Sequence, residues 1–394
     1  MKIVVAPDSF KESLSAIEVA EAIEFGLRLQ KPFKQAEILK IPMSDGGEGF
    51  LKCVVRSLPI TLQTIQVRNP LEETHQEKHQ EKHQETHQAS LGMLKLQDKN
   101  TAFIEVAEAC GLHLILEHKR KPLESSTLGV GELILKALEL NCQEIIIGLG
   151  GSATIDAGMG ALVMLGVQFK DAQGALLEPK GSNLEKIASI NTETLDPRLK
   201  ECHFILAHDV DSPLLGSEGA EKYAAQKGAS AEDIKILSKG LEQFVQCVEE
   251  ATGKNIGLIR GAGAAGGLAA GLFAFLPAIL KSGAEVMSEM VGLEEKLRNA
   301  TLVVTGEGQM DEQTIHGKAP IAVAAMAKKQ GIPVIAIVGS LGKGFEVVYK
   351  HGIDAVFSIA NKPLSRFESQ TQAKELIIES ASNIARLLAL NLKI

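Results

Sequence analysis

The feature that most restricts the fold is a repeated order of segments: a short apolar run, a turn rich in acids and glycine, then apolar residues at helical spacing. It begins at Ile3 to Ala6, passes through Asp8-Ser9-Phe10-Lys11-Glu12-Ser13, and enters Ser15-Ala16-Ile17-Glu18, the Ser-x-x-Glu form of a helix capping box. Behind that cap Ala16, Ala20, Ile23 and Leu27 recur on one helical face. The same order returns at Glu37 to Ile41 before Ser44-Asp45-Gly46-Gly47-Glu48, and at Glu144 to Ile147 before Gly148-Leu149-Gly150-Gly151-Ser152-Ala153-Thr154. Further strands are expected at Leu302 to Thr305, Pro333 to Val338 and Ala355 to Ile359. Strands alternating with helices predict an α/β protein with a doubly wound, mostly parallel sheet, whose ligands gather beyond the carboxyl ends of the strands.

A chain of 394 residues is long for one core and suits two α/β domains. Its formal charge of -8, with two Tyr and no Trp, argues against a nucleic-acid partner, which needs a basic field and stacking platforms. The N-terminal apolar run ends at Pro7-Asp8, too short for a secretory signal, and no run reaches the roughly eighteen apolar residues of a membrane span. Cys53, Cys110, Cys142, Cys202 and Cys247 are scattered and never form C-x-x-C. That pattern fits neither a disulfide framework nor a zinc site, and a reducing cytoplasm is the expectation.

One segment departs from the pattern. From His75 to Gln88 a four-residue His-Gln-Glu repeat would place His75, His79, His83 and His87 near one face of a helix, a spacing that can share a metal ion. The simpler reading is a solvated low-complexity insert, since nothing in it is apolar enough to join a core.

Five turns carry candidate chemistry. In the first, Asp8 or Ser9 suits a hydroxyl or a metal-bound water and Lys11 a phosphate, although Asp and Ser are also ordinary turn residues. In the second, Gly46 and Gly47 permit close backbone approach to an anion next to Ser44. Asp45, a carboxylate in such a turn, reads as a metal ligand or general base, with a helix cap as the alternative. In the third, Gly150, Gly151, Ser152 and Thr154 could surround an anion at the N-terminus of a helix from Ala157 to Leu165. Gly148-x-Gly150-x-x-Ala153 also satisfies a dinucleotide fingerprint, with Asp171 where an acid would meet a ribose. Gly261-x-Gly263-x-x-Gly266 matches as well, without a clear preceding strand, and is read as a close-packing segment. In the fourth, Asp209 and Asp211 follow the apolar run Phe204 to Ala207, a placement suited to Mg²⁺. In the fifth, Gly306-Glu307-Gly308 precedes Gln309 and Asp311, with Lys318 a candidate counter-charge for phosphate. No Walker loop and no protein-kinase signature set occurs.

Taken together these turns resemble the type-I bacterial glycerate kinases. The resemblance rests on Ala6 to Ser13, Pro42 to Gly49, Gly148 to Thr154, Asp209-Val210, Gly261 to Gly267 and Thr305 to Asp311, in the family's order. It implies transfer of the ATP γ-phosphate to a hydroxyl of D-glycerate, commonly giving 2-phosphoglycerate. It also implies two intertwined domains, one from residues 1–70 plus 286–394 and an inserted one from 71–285. On that basis Asp45, Lys11, Asp209 and Glu307 are the candidate catalytic residues, with Mg²⁺ held by some of Asp45, Asp209 and Glu307. Asp8, Ser9, Ser44, Gly46, Gly47, Gly150, Gly151, Ser152, Thr154, Gly306, Gln309 and Asp311 would contact glycerate or the phosphates of ATP. The protein is expected to act as a monomer or homodimer. Three features depart from the family pattern: the His-Gln-Glu repeat, Tyr223 to Gln226 in place of Phe-Gly-Pro-Gln, and Ser212 where Asn is frequent. An NAD-dependent hydroxy-acid dehydrogenase is the rival enzyme, and a non-catalytic metabolite-binding regulator the rival of another class.

Overall fold

The computed structural model describes residues 1–71, 85–96 and 99–390. Its two principal sheets are built from β1 (Lys2–Val5), β2 (Glu37–Lys40), β3 (Thr61–Arg68), β4 (Thr86–Leu96), β5 (Lys99–Glu105), β6 (Glu144–Gly148), β7 (His203–His208), β8 (Ala278–Ser282), β9 (Leu302–Thr305), β10 (Val334–Val338) and β11 (Ala355–Ser358). The chain divides into two compact units. The first comprises Met1–Asp45, Lys52–Leu58 and Ser282–Ile394, and the second Gly46–Leu51 and Pro59–Lys281. Residues 59–70, expected with the first domain, pack in the second, because β3 pairs with β4.

In the first unit the sheet order is β11-β10-β9-β1-β2, and every pairing is parallel. Its central strands bury consecutive residues, Ile3-Val4-Val5 and Val303-Val304-Thr305, as expected of strands covered on both faces. The helix α1 (Ala16–Arg28) begins at the capping box read from the sequence: Ser15 Oγ accepts from Glu18 N, and the Glu18 carboxylate accepts from Ser15 N at 2.9 Å. Its apolar face, Val19, Ile23 and Leu27, packs into one core with Leu376, Ile377 and Ile384 of a late helix (Ala373–Ala389).

The second unit carries the sheet β8-β7-β6-β5-β4-β3, parallel at β5-β6-β7 and antiparallel at β3-β4-β5. It is a mixed sheet, in contrast to the first. The helical register imagined for the histidine repeat does not hold at His87, which lies in β4 opposite Val67. Its ring nitrogens reach Asn69 Oδ1 and Glu108 O, both at 2.9 Å. His75, His79 and His83 lie outside the described residues. All five cysteines are buried, and among the described residues no helix is long and apolar enough to cross a membrane.

Gly26 on α1 lies close against the late helix: a β-carbon there would meet Ile378 O at 2.4 Å and Ala381 Cβ at 2.7 Å. Helix propensity favours Ala over Gly by about 1 kcal/mol, whereas overpacking costs ~1–3 kcal/mol. Both near contacts involve the partner helix itself, so the clash should dominate. Gly26→Ala is expected to lower the urea-unfolding free energy by about 1–2 kcal/mol, and an unchanged or raised value would show that the interface yields.

Candidate active site

In the first unit, β1 carries the Asp8 turn and its neighbours hold that turn from both sides. Ala6 N donates to Val304 O, Asp8 N to Gly306 O and Thr305 Oγ1 to Ala6 O, each at 2.8 Å. Ile41 N donates to Val5 O at 2.8 Å and Met43 N to Pro7 O at 2.9 Å. Extending the ladder past the strands in this way gathers Asp8, Asp45 and Glu307, all buried. Burial and then the Asp45 charge push the Asp8 carboxyl well above its ordinary range, opposed by the Ser9 amide at 2.6 Å and by Lys11. Exposed Lys11 extends its Nζ to 3.7 Å from Asp45 Oδ2. Burial also raises Glu307, although Lys318 Nζ lies 3.2 Å and Thr314 Oγ1 2.7 Å from its carboxylate. Lys318, read as a phosphate counter-charge, therefore serves Glu307.

In the second unit the two glycine turns interlock. Gly150 N donates to Gly46 O at 3.0 Å, and a β-carbon on Gly150 would fall 2.3 Å from Gly47 Cα. Gly150 is required by the backbone of Gly47, whatever ligand it also meets. Glu105, at the end of β5, accepts from Gly49 N and Leu51 N, both at 2.9 Å, and so caps α2 (Phe50–Ser57) in place of a local side chain. Beyond β6, Leu112 N donates to Gly151 O and Ala153 N to Cys110 O, which pins the loop. Gly151 is exposed, whereas Ser152 and Thr154 are buried.

The helix expected from Ala157 starts later, as α3 (Met159–Met164), because Ala157 and Gly158 have φ of 51° and 77°. Its N-terminus is already occupied. The Asp156 carboxylate accepts from Gly158 N and Gly160 N at 3.1 Å, and from Thr127 N and Thr127 Oγ1 at 2.8 Å. Burial raises the Asp156 carboxyl even against these donors. The amide dipoles assigned from sequence to a phosphate thus cap a side chain.

Ser152 Oγ and Thr154 O both accept from Lys227 Nζ, at 2.8 and 2.9 Å. Burial pushes this lysine down to about 8, against Cys110, Asp156 and Asp209. Asp209, half-buried, follows β7, and Asp211 of the expected acid pair is engaged by Arg260 instead. The two departures Ser212 and Tyr223 meet each other, hydroxyl to hydroxyl, at 3.0 Å. Glu105, Asp156 and Lys227 were not singled out from sequence. Glu105 repeats the acid-after-strand placement of Asp8 and Glu307, a signal that was available; Lys227 stands in the Lys-Gly-Ala that follows the departure at 223–226, and Asp156 shows nothing in its local residue pattern.

Several expected contacts resolve otherwise. Gly306 is fixed by packing, since a β-carbon there would meet Ile337 O at 2.0 Å. Gln309 is exposed and bonds Asp311, whose carboxylate caps Gln313 N in its own turn. Asp171 likewise spends one oxygen on Gln173 N and Ala175 N, so it is a turn former and not a ribose ligand. Gly266 backs onto Thr154 O, where a β-carbon would come within 2.0 Å, in line with close packing. For Mg²⁺ the donor set fits in one particular sense. Among the described residues no group of three or more His, Cys, Asp or Glu side chains could hold a metal by itself. Mg²⁺ ordinarily takes one or two carboxylates and completes its shell with water and phosphate oxygens. Asp45 and Glu307, both buried, are carboxylates of the kind such a partial shell takes.

Parallel strands ending in carboxylates and interlocked glycine turns mark a small-molecule enzyme of the α/β class. Comparison with known proteins makes this specific. The model of the glycerate kinase family matches residues 3–389. A glycerate 2-kinase of Escherichia coli is 43% identical, covering 100% of this chain and 99% of its own, and a glycerate kinase of Halalkalibacterium halodurans is 43% identical over 97% of each. A crystal structure described as glycerate kinase 2 of Salmonella typhimurium aligns over 100% of both chains with a TM-score of 0.81 at 40% identity. The chain belongs to the glycerate kinase family. None of these relatives supports the dehydrogenase alternative.

Glu105 offers a test of how the glycine turn is held. Burial raises its carboxyl from 4.5 to about 6 against the two amides. With the folded value above the unfolded one, its contribution to stability is complete below pH 4.5 and is lost as pH rises through 6, amounting to about 2 kcal/mol. Between pH 4.5 and 7 the wild type should therefore lose about 2 kcal/mol relative to Glu105→Gln in urea titrations. Parallel pH profiles for the two proteins would rule this out.

Proposed function

We infer that this chain transfers the γ-phosphoryl group of ATP to the C2 hydroxyl of D-glycerate, releasing ADP and 2-phosphoglycerate. The observation that carries the reading is the family match across residues 3–389, supported by full-length relatives named glycerate kinase and glycerate 2-kinase. Phosphoryl transfer asks a protein chiefly for positioning and neutralisation of charge. The first unit supplies carboxylates for this. Asp45 accepts the proton of the attacking hydroxyl as general base. Asp8, whose carboxyl is held well above its ordinary range, retains a proton more readily and donates to a substrate oxygen together with Ser9 and Ser44. Lys11, exposed and 3.7 Å from Asp45, steadies the glycerate carboxylate or the phosphoryl group.

Mg²⁺ would neutralise the phosphate oxygens, with Asp45 and Glu307 its candidate ligands in the first unit and Asp209 in the second. In the second unit Gly46, Gly47, Gly150, Gly151, Ser152 and Thr154 form the phosphate-binding element, with contact through Gly151 and Ser152. Gly306, Gln309 and Asp311 shape the turn around Glu307. The buried thiols are in keeping with a cytoplasmic protein, acting as a monomer or homodimer.

Incubating the protein with D-glycerate and either ATP or NAD tests the reaction directly. ADP should appear with ATP, no reduced cofactor with NAD, and phosphorus NMR should show 2-phosphoglycerate. Absence of ADP release would sink the assignment, and a 3-phosphoglycerate signal would move the site of attack. Asp45→Asn should lower kcat by about a hundred-fold or more, the range of general-base loss. Turnover within a few-fold of wild type would remove Asp45 as the base.

A further inference from the structure

Lys227 is a buried cation to which the reaction scheme assigns no task. It closes a single 3-10 turn, Ala225–Lys227, followed by left-handed Gly228, and is 5% exposed. Both of its acceptors are neutral: the Ser152 hydroxyl at 2.8 Å and the Thr154 carbonyl at 2.9 Å. Burying an ammonium against neutral acceptors is costly, and an apolar side chain of similar length would avoid the cost. Its hydrogen bonds alone therefore do not explain the charge.

The direction of the Ser152 bond is informative. An ammonium only donates, so Ser152 Oγ must accept, and the hydroxyl proton is left to point elsewhere. Among the described residues no acceptor takes that proton. Ser152 adjoins exposed Gly151, in a loop whose own residues, Gly148 to Thr154, include no cation. Asp156 and Asp209 supply the negative charge that Lys227 feels, and the Asp156 carboxylate already receives four hydrogen bonds.

We propose that Lys227 is the positioning residue of this loop: by donating to Ser152 Oγ it turns that hydroxyl into a donor toward a phosphate oxygen of ATP, and it supplies the loop's missing positive charge. The proposal rests on the reading of residues 150–154 as the phosphate-binding element. It differs from a Walker arrangement in that the lysine lies some 75 residues away in sequence and acts from beneath the loop.

The test is calorimetric titration of the full chain with ATP in the absence of D-glycerate, so that failure of the acceptor assignment leaves it intact. Lys227→Met should weaken ATP binding ten-fold or more while the KM for D-glycerate stays within two-fold. Ser152→Ala should weaken it less, and the double variant should bind as Lys227→Met does, because the hydroxyl acts through the lysine. ATP affinity within two-fold of wild type in Lys227→Met, equal loss for both substrates, or additive effects in the double variant would each overturn the proposal. Should Lys227→Met fail to fold, the wild type decides. Of the groups facing Lys227, the Cys110 thiol is pushed up to about 12 and the others, Asp156 and Asp209, are acids. ATP affinity should therefore fall as pH rises through about 8, where the lysine loses its charge. A flat profile from pH 7 to 9.5 would overturn the assignment.

Discussion

The first unit depends on the backbone ladder running on past the ends of its strands. Hydrogen bonds from Ala6 to Val304, from Asp8 to Gly306, from Ile41 to Val5 and from Met43 to Pro7 hold three turns in register with the strands that precede them. Parallel pairing sends every carboxyl end the same way, so the acids that follow β1, β2 and β9 have to share a small buried volume. Their mutual repulsion and desolvation raise Asp8, and desolvation raises Glu307. Asp8 and Glu307 therefore hold a proton more readily than ordinary carboxyls. The magnesium ion or substrate hydroxyl proposed above would relieve the same unfavourable electrostatics.

In the second unit the turns are rich in glycine, and the loop Gly148 to Thr154 includes no cation. Its glycines are spent first on one another, since Gly150 lies against Gly47 and Gly266 against Thr154. The rigidity of the loop comes from that backbone contact and from two buried carboxylates, Glu105 at α2 and Asp156 at α3. Each takes the place that a bound anion would occupy at a helix N-terminus. The dipoles there serve the fold.

Desolvation acts on both signs of charge with opposite results. It lifts the Asp156 carboxyl and depresses Lys227 to about 8, although both groups sit in one network with Thr154 and Cys110. Asp156 retains its place through four donors. Among the described residues Lys227 Nζ donates to two neutral oxygens, of Ser152 and Thr154, and the phosphate proposed above would add a charged partner.

Much of this was legible in the residues. The strands of the first unit, with β6 and β7, followed from their apolar runs, α1 from its Ser15 and Glu18 box, and the acid turns from their place after strands, because these depend on local periodicity and capping, whereas β3, β4, β5 and β8 were not expected. The ordered turns from Ala6 to Asp311 were enough to point to the glycerate kinase family. Local reasoning could not show that Gly150 needs Gly47, that Asp156 fills the N-terminus meant for a phosphate, that Asp211 belongs to Arg260, or that Lys227 reaches Ser152. Each of those pairs residues far apart in the chain or reassigns a helix end through an unforeseen left-handed turn at Ala157. Their spacing is set by how sheets and loops close on one another, and no short-range pattern of residue types encodes that distance.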